Sequence, residues 1–96
     1  MDVLVAYDVN TESKEGRRRL RRVAIVCKGF GQRVQYSIFE CTVNEAQYES
    51  LKARLLAVLD EDEDSLRIYK LRTPREQSLE CYGLDSYVSY EDPLIF

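Results

Sequence analysis

Two features of this chain have the residue types and spacing to do chemistry: a carboxylate ending an apolar run, and a block of arginines that follows it. The carboxylate is Asp8, placed after Val3-Leu4-Val5-Ala6-Tyr7 and just before the polar stretch Asn10-Thr11-Glu12-Ser13. A carboxylate in that setting is either a loop-capping group or a hard oxygen ligand for a divalent cation. The block is Arg17-Arg18-Arg19-Leu20-Arg21-Arg22, with Lys14, Lys28 and Arg33 near it in sequence. On a helix these arginines repel one another unless an anion lies close, so contact with a phosphate backbone explains them better than a merely solvated face. Contacts of this kind set position and affinity rather than sequence preference.

Other chemistries are excluded by what the chain lacks. It contains no histidine, so neither a Ser/His/Asp nor a Cys/His nucleophile system can be assembled. No phosphate-cradling glycine loop occurs, and any hydrolysis has to rest on a metal, carboxylates and arginine. Cys27, Cys41 and Cys81 are odd in number and widely spaced, which argues against a zinc site and against a disulfide framework. They read as small buried hydrophobes in a reducing compartment. Asp60-Glu61-Asp62-Glu63-Asp64 superficially resembles a calcium loop, but Ser65 and Leu71 stand where such a loop needs Gly and Glu, so it reads as a solvated connector. Lys28-Gly29-Phe30-Gly31 opens like an RNA-recognition signature and fails at once, because Gln32 and Arg33 stand where Phe and Val belong.

The elements that must position Asp8 and the arginines follow from periodicity. With 96 residues, 45% apolar and 32% charged, the chain is expected to form one domain over residues 1–96, with 83–96 as a C-terminal tail. Its net charge of −3 conceals an uneven distribution. From Lys14 to Arg33, eight basic residues and one acidic give +7, and from Glu49 to Phe96, six basic and eleven acidic give −5. The first of these is the electrostatic footprint of a polyanion partner. No apolar run is long enough for a membrane span or a signal peptide, so a cytoplasmic protein is expected.

Val3 to Ala6 is apolar without a break, and a strand that meets water on one side would alternate. The first strand is therefore expected to be central and covered on both faces. Leu20, Val23, Ala24 and Cys27 recur at helical spacing and predict a helix from about Lys14 to Lys28, closed by Gly29. Gln32 to Val43 reads as a strand region with a bend or bulge near Tyr36-Ser37. Asn44 and Gln47 form a capping-box pattern for a second helix that runs to about Leu59. Leu66 to Leu71 predicts a further strand, a turn is expected at Thr73-Pro74, and Leu79 to Tyr82 reads as a shorter strand. The order β-α-β-α-β with an extra C-terminal strand suits an α+β, ferredoxin-like sandwich, a mainly antiparallel sheet with two helices on one face. Two helices cover only one face, and the economical cover for the other is a second copy of the chain, sheet against sheet.

Tyr7-Asp8-Val9, the helix Gly16-Arg17-x-Arg19-Leu20-Arg21-Arg22-Val23 and the segment Gly31-Gln32-Arg33-Val34-Gln35-x-Ser37-Ile38-Phe39-Glu40-Cys41 together resemble the CRISPR-associated protein 2 family. Ser65-Leu66-Arg67-Ile68-Tyr69 and Asp92-Pro93 extend the likeness over nearly the whole chain. The resemblance implies a homodimer with facing sheets that acts in spacer acquisition during prokaryotic antiviral immunity. It implies a bridge between dimers of CRISPR-associated protein 1, the integrase, supporting double-stranded DNA. It further implies a metal-dependent endonuclease acting on RNA, single-stranded RNA included, or on double-stranded DNA, with Asp8 of each protomer binding Mg2+ or another divalent cation across the two-fold axis. On the family pattern Asp8, Tyr7, Arg33, Ser37 and Phe39 are the catalytic candidates, with packing the preferred role for Phe39. Arg17, Arg18, Arg19, Arg21, Arg22 and Arg33 are the nucleic-acid candidates. The alternative is a non-catalytic DNA-binding bridge between integrase dimers, with Asp8 a loop or interface residue. A regulatory module for a small ligand would leave the arginine block unexplained.

Overall fold

The computed structural model describes residues 1–72 and 80–83. The first apolar run forms β1 (Asp2–Asp8), and the arginine-rich segment forms α1 (Lys14–Lys28). Two strands follow, β2 (Gly31–Gln35) and β3 (Ile38–Thr42), then α2 (Glu45–Val58) and β4 (Ser65–Leu71). The sheet order is β2-β3-β1-β4, and every pairing is antiparallel. This β-α-β-β-α-β arrangement is the ferredoxin-like α+β fold, with β1 in the middle.

Gln32 to Val43, expected as one bent strand region, is a hairpin. The chain reverses at Tyr36-Ser37, and the register shifts between Arg33 and Gln35, so the irregularity sits beside the turn. Within β3 the bulky groups at both parities take its two faces, Phe39 and Cys41 in the core and Ile38 on the opposite side. Leu79 to Tyr82 was expected as a strand. Leu79 lies outside the described residues, and Glu80, Cys81 and Tyr82 are exposed and not in a strand. The Thr73-Pro74 turn and the segment from 84 onward also lie outside them.

Both helices start with a side-chain cap. Ser13 accepts from the backbone N–H of Gly16 at 3.0 Å, satisfying one of the donors left over in the first turn of α1. Asn44 and Gln47 form the full capping box of α2, with reciprocal bonds of 2.8 and 2.9 Å. Gly29 ends α1 in right-handed backbone (φ −71°), so its freedom to turn left-handed is not used there.

The core lies between the sheet and the helices. Val3, Val5 and Tyr7 of β1 and Phe39 and Cys41 of β3 meet Val23, Ala24 and Cys27 of α1 and Tyr48, Leu51 and Leu55 of α2. Phe39, Leu51 and Leu55 are fully buried, and each such side chain contributes ~1.5–3 kcal/mol relative to exposure. β1 alternates after all: Val3, Val5 and Tyr7 are buried under the helices, whereas Leu4 and Ala6 on the other face are only half-buried. Ile38, Glu40, Tyr69 and Leu71 share that open face through the strand register. The unbroken apolar run therefore records a sheet face that a single chain leaves uncovered.

Candidate functional site

Asp8 ends the central strand, exposed, at the parity of Leu4 and Ala6, so it belongs to the open face of the sheet. Its register partner is Ser65, the first residue of β4. Among the described residues no group of three or more His, Cys, Asp or Glu side chains could hold a metal ion. The end of β1 offers Asp8 as its hard oxygen donor here. Magnesium takes one or two carboxylates with water and phosphate oxygens, so Asp8 fits such a set and a second carboxylate brought alongside would complete it.

Tyr7, Arg33, Ser37 and Phe39 are brought together at the same end of the sheet, but on its helix side. The Tyr7 and Phe39 rings stack with centroids 6.2 Å apart, and the Arg33 guanidinium stands 5.2 Å over the Phe39 ring. The Tyr7 N–H donates to the Ser37 carbonyl at 3.1 Å, stitching β1 to the hairpin turn. Phe39 is fully buried beneath the helices, in the chain's own core rather than on the open face of the sheet. Burial pushes the Tyr7 phenol pKa up, partly offset by the hydrogen bond from Arg33. A phenol held protonated in this way is no base at neutral pH.

The arginines divide into two groups. Arg17, Arg18, Arg21 and Arg22 are exposed, and Arg17 donates to the Thr11 carbonyl at 3.1 Å. Among the described residues, Arg18, Arg21 and Arg22 have no carboxylate partner. Arg19 turns the other way. Its Nε donates to Asp64 Oδ2 at 2.8 Å and its Nη2 to Asp64 Oδ1 at 3.2 Å, with Glu63 3.5 Å away.

Asp64 corrects the reading of the acidic run as a solvated connector. Its side chain has no exposed surface, while the neighbouring Glu61, Asp62 and Glu63 are exposed. Besides Arg19 it accepts the backbone N–H groups of Asn10 and Asp60, each at 3.0 Å. Burial pushes its pKa up, but the Arg19, Asp60 and Asn10 donors outweigh burial and hold it below the usual carboxylate value. Sequence reasoning missed this residue, and nothing in five consecutive acids marks the last as the buried one. The inward turn of Arg19 did carry a signal, since it lies three residues from Gly16 and four from Val23, both buried.

The expectation of three buried cysteines holds for two. Cys27 and Cys41 are buried and Cys81 is exposed, because the short strand expected to bury it is not present at residues 80–82.

A basic first helix and an exposed carboxylate at the end of the central strand, set on an all-antiparallel β-α-β-β-α-β sheet, define a small ferredoxin-like α+β protein with a strongly basic helix face. Comparison with known proteins narrows the class. Residues 1–78 match the family model described as CRISPR associated protein Cas2. The chain is 55% identical over 95 residues, 99% of each chain, to a Moorella thermoacetica protein named CRISPR-associated endoribonuclease Cas2 1. It is 49% identical over 96 residues, the whole of both chains, to the CRISPR-associated endonuclease Cas2 of Halalkalibacterium halodurans. The crystal structure of Streptococcus pyogenes Cas2 matches with a TM-score of 0.77 at 49% identity, covering 86% of this chain and 100% of that one. The chain belongs to the Cas2 family of CRISPR-associated proteins. Among its described residues no helix is long and apolar enough to cross a membrane.

Proposed function

We propose that this chain is a homodimeric, metal-dependent endonuclease that acts on double-stranded DNA or RNA in CRISPR spacer acquisition. The observation that carries this reading is the position of Asp8, exposed at the end of the central strand on the sheet face that a single chain leaves open. Closing that face with a second copy would bury Leu4, Ala6, Ile38 and Tyr69 and bring two Asp8 carboxylates to the two-fold axis. Two carboxylates held close repel unless they share a proton or a cation, and one from each protomer makes up the donor number magnesium favours. The names of the Moorella and Halalkalibacterium relatives, an endoribonuclease and an endonuclease, support the reaction class.

In this scheme Mg2+ would supply a polarised phosphate and a water of lowered pKa. The protein's own residues bind and orient. Asp8 fixes the site. Arg33, over the Phe39 ring on the helix side, braces that end of the sheet through its hydrogen bond to the Tyr7 phenol. Tyr7 and Phe39 pack behind the strand and keep its end rigid, and the Ser37 carbonyl ties that end to the hairpin. Neither histidine, which the sequence lacks, nor the Tyr7 phenol, which is held protonated, is available as a general base. A bound Mg2+ would make the attacking water acidic enough for its proton to pass to solvent.

A second reading is favoured by Arg18, Arg21 and Arg22, exposed on α1 with no carboxylate partner among the described residues. On that reading the protein is a bridge that holds duplex DNA between integrase dimers of CRISPR-associated protein 1, and Asp8 is an interface residue. The two readings separate on Asp8→Ala. Loss of magnesium-dependent cleavage with duplex binding intact supports the nuclease, and unchanged spacer acquisition by the same variant supports the bridge.

A further inference from the structure

The two residues that follow Asp8 lead directly into a clamp. Asn10 is held at three points. Its N–H donates to Asp64 Oδ1 at 3.0 Å, its side-chain Oδ1 accepts from the Glu12 N–H at 3.0 Å, and its carbonyl oxygen lies against Gly16, where a Cβ would overlap it. Asp64 in turn precedes Ser65, the register partner of Asp8 in β4. One fully buried carboxylate therefore joins the loop leaving Asp8, the guanidinium of Arg19 on α1, the backbone of Asp60 after α2, and the first residue of β4. Four elements meet at that carboxylate, and nothing of it faces solvent.

We propose that Asp64 is the positioning residue for Asp8, holding the loop after β1 so that the Asp8 carboxylate keeps the direction its cation requires. This inference rests on the reading of Asp8 as a metal ligand. Asp64 touches neither substrate nor metal and acts only through Asn10 and Arg19. It selects Arg19 from the arginine block for this task and leaves Arg18, Arg21 and Arg22 for the polyanion. Groups that orient a metal ligand through hydrogen bonds change metal affinity when removed, and do so without changing the ligand itself.

The test compares the full chain with Asp64→Asn, Asp8→Asn and, as an exposed control in the same acidic run, Glu61→Gln. Each is read by the Mg2+ concentration for half-maximal cleavage of labelled nucleic acid, by duplex binding in EDTA, and by amide hydrogen exchange over residues 9–13. An asparagine at 64 keeps the size but offers one oxygen in place of two and points an amide N–H at the Arg19 donors. In Asp64→Asn the half-saturating Mg2+ is expected to rise about tenfold or more, as for the loss of other ligand-orienting groups. Cleavage recovers at high Mg2+, exchange over 9–13 accelerates, and duplex binding stays as in wild type. Glu61→Gln changes none of these.

Unaltered exchange over 9–13 would overturn the proposal. So would faster exchange with an unchanged Mg2+ requirement, which would make Asp64 a structural clamp only. If Asp8→Asn cleaves like wild type, the reading of Asp8 fails and the positioning role falls with it. If only Asp64→Asn is silent, the positioning role alone is wrong. Should Asp64→Asn not fold, Arg19→Lys, which keeps the charge and loses the two-point contact, is measured in the same way and judged by the same outcomes.

Discussion

Asp64 and Cys27 show how much burial alone changes the chemistry of a side chain. Asp64 meets four donors at 2.8 to 3.2 Å with its side chain out of water. Its removal leaves Arg19 and two backbone N–H groups without their acceptor, so Asp64→Ala is expected to cost about 3 kcal/mol in urea unfolding. Because its folded pKa lies below the unfolded value, this stabilisation is present above the ordinary carboxylate pKa of 3.8 and fades as pH falls through the lower folded value. Wild type and Asp64→Ala are therefore expected to differ in stability at pH 6 and to converge in strong acid. The thiols give a second prediction. Burial pushes Cys27 up to about 12 and Cys41 up to about 11, whereas Cys81 is exposed. A disulfide reagent at neutral pH is expected to titrate one thiol per native chain and all three in denaturant. These distinctions could not be read from the sequence, since Asp64 ends a run of five like residues and Cys81 is apolar enough for a core. Asp8 was legible as a candidate because an apolar run ends on it.

At the level of elements, periodicity carried more. The stripe Leu20, Val23, Ala24 and Cys27 places α1, and Asn44 with Gln47 places the start of α2, because both patterns report local physics that the tertiary fold does not override. The hairpin from Gly31 to Thr42 was not legible as two strands. Its turn, Tyr36-Ser37, carries none of the glycine, asparagine or aspartate that marks a tight reversal, and Tyr36 is 92% exposed at the tip. Two predictions belong here. Replacing Arg18, Arg21 and Arg22 by Gln is expected to reduce the slope of log K against log salt for duplex DNA by about 2.7 if each meets one phosphate. An unchanged slope in fluorescence anisotropy would remove α1 from the interface. Gly16→Ala places a methyl against the Asn10 carbonyl and is expected to destabilise the chain by ~1–3 kcal/mol in the same urea assay.

For the whole molecule, the decisive feature is a sheet with one face packed under helices and the other carrying Leu4, Ala6, Ile38, Tyr69 and Leu71. The unbroken apolar run of β1 announced that face, because Leu4 and Ala6 give it apolar residues where a water-facing strand would alternate. A homodimer through it predicts sedimentation at twice the 11.2 kDa chain mass, and Leu4→Glu is expected to shift the protein to monomer and to abolish cleavage along with it. The measurement that bears most directly on the account is cleavage of labelled duplex DNA and single-stranded RNA in Mg2+ or EDTA, by wild type and Asp8→Ala purified identically. The account predicts cutting by wild type in Mg2+ that disappears with EDTA and with Asp8→Ala, while salt-sensitive duplex binding persists in both proteins. Equal cutting by the variant would contradict it and put the cleavage at another site or in a contaminating nuclease, and no cutting by either while duplex binding holds would contradict it and leave a DNA-holding bridge.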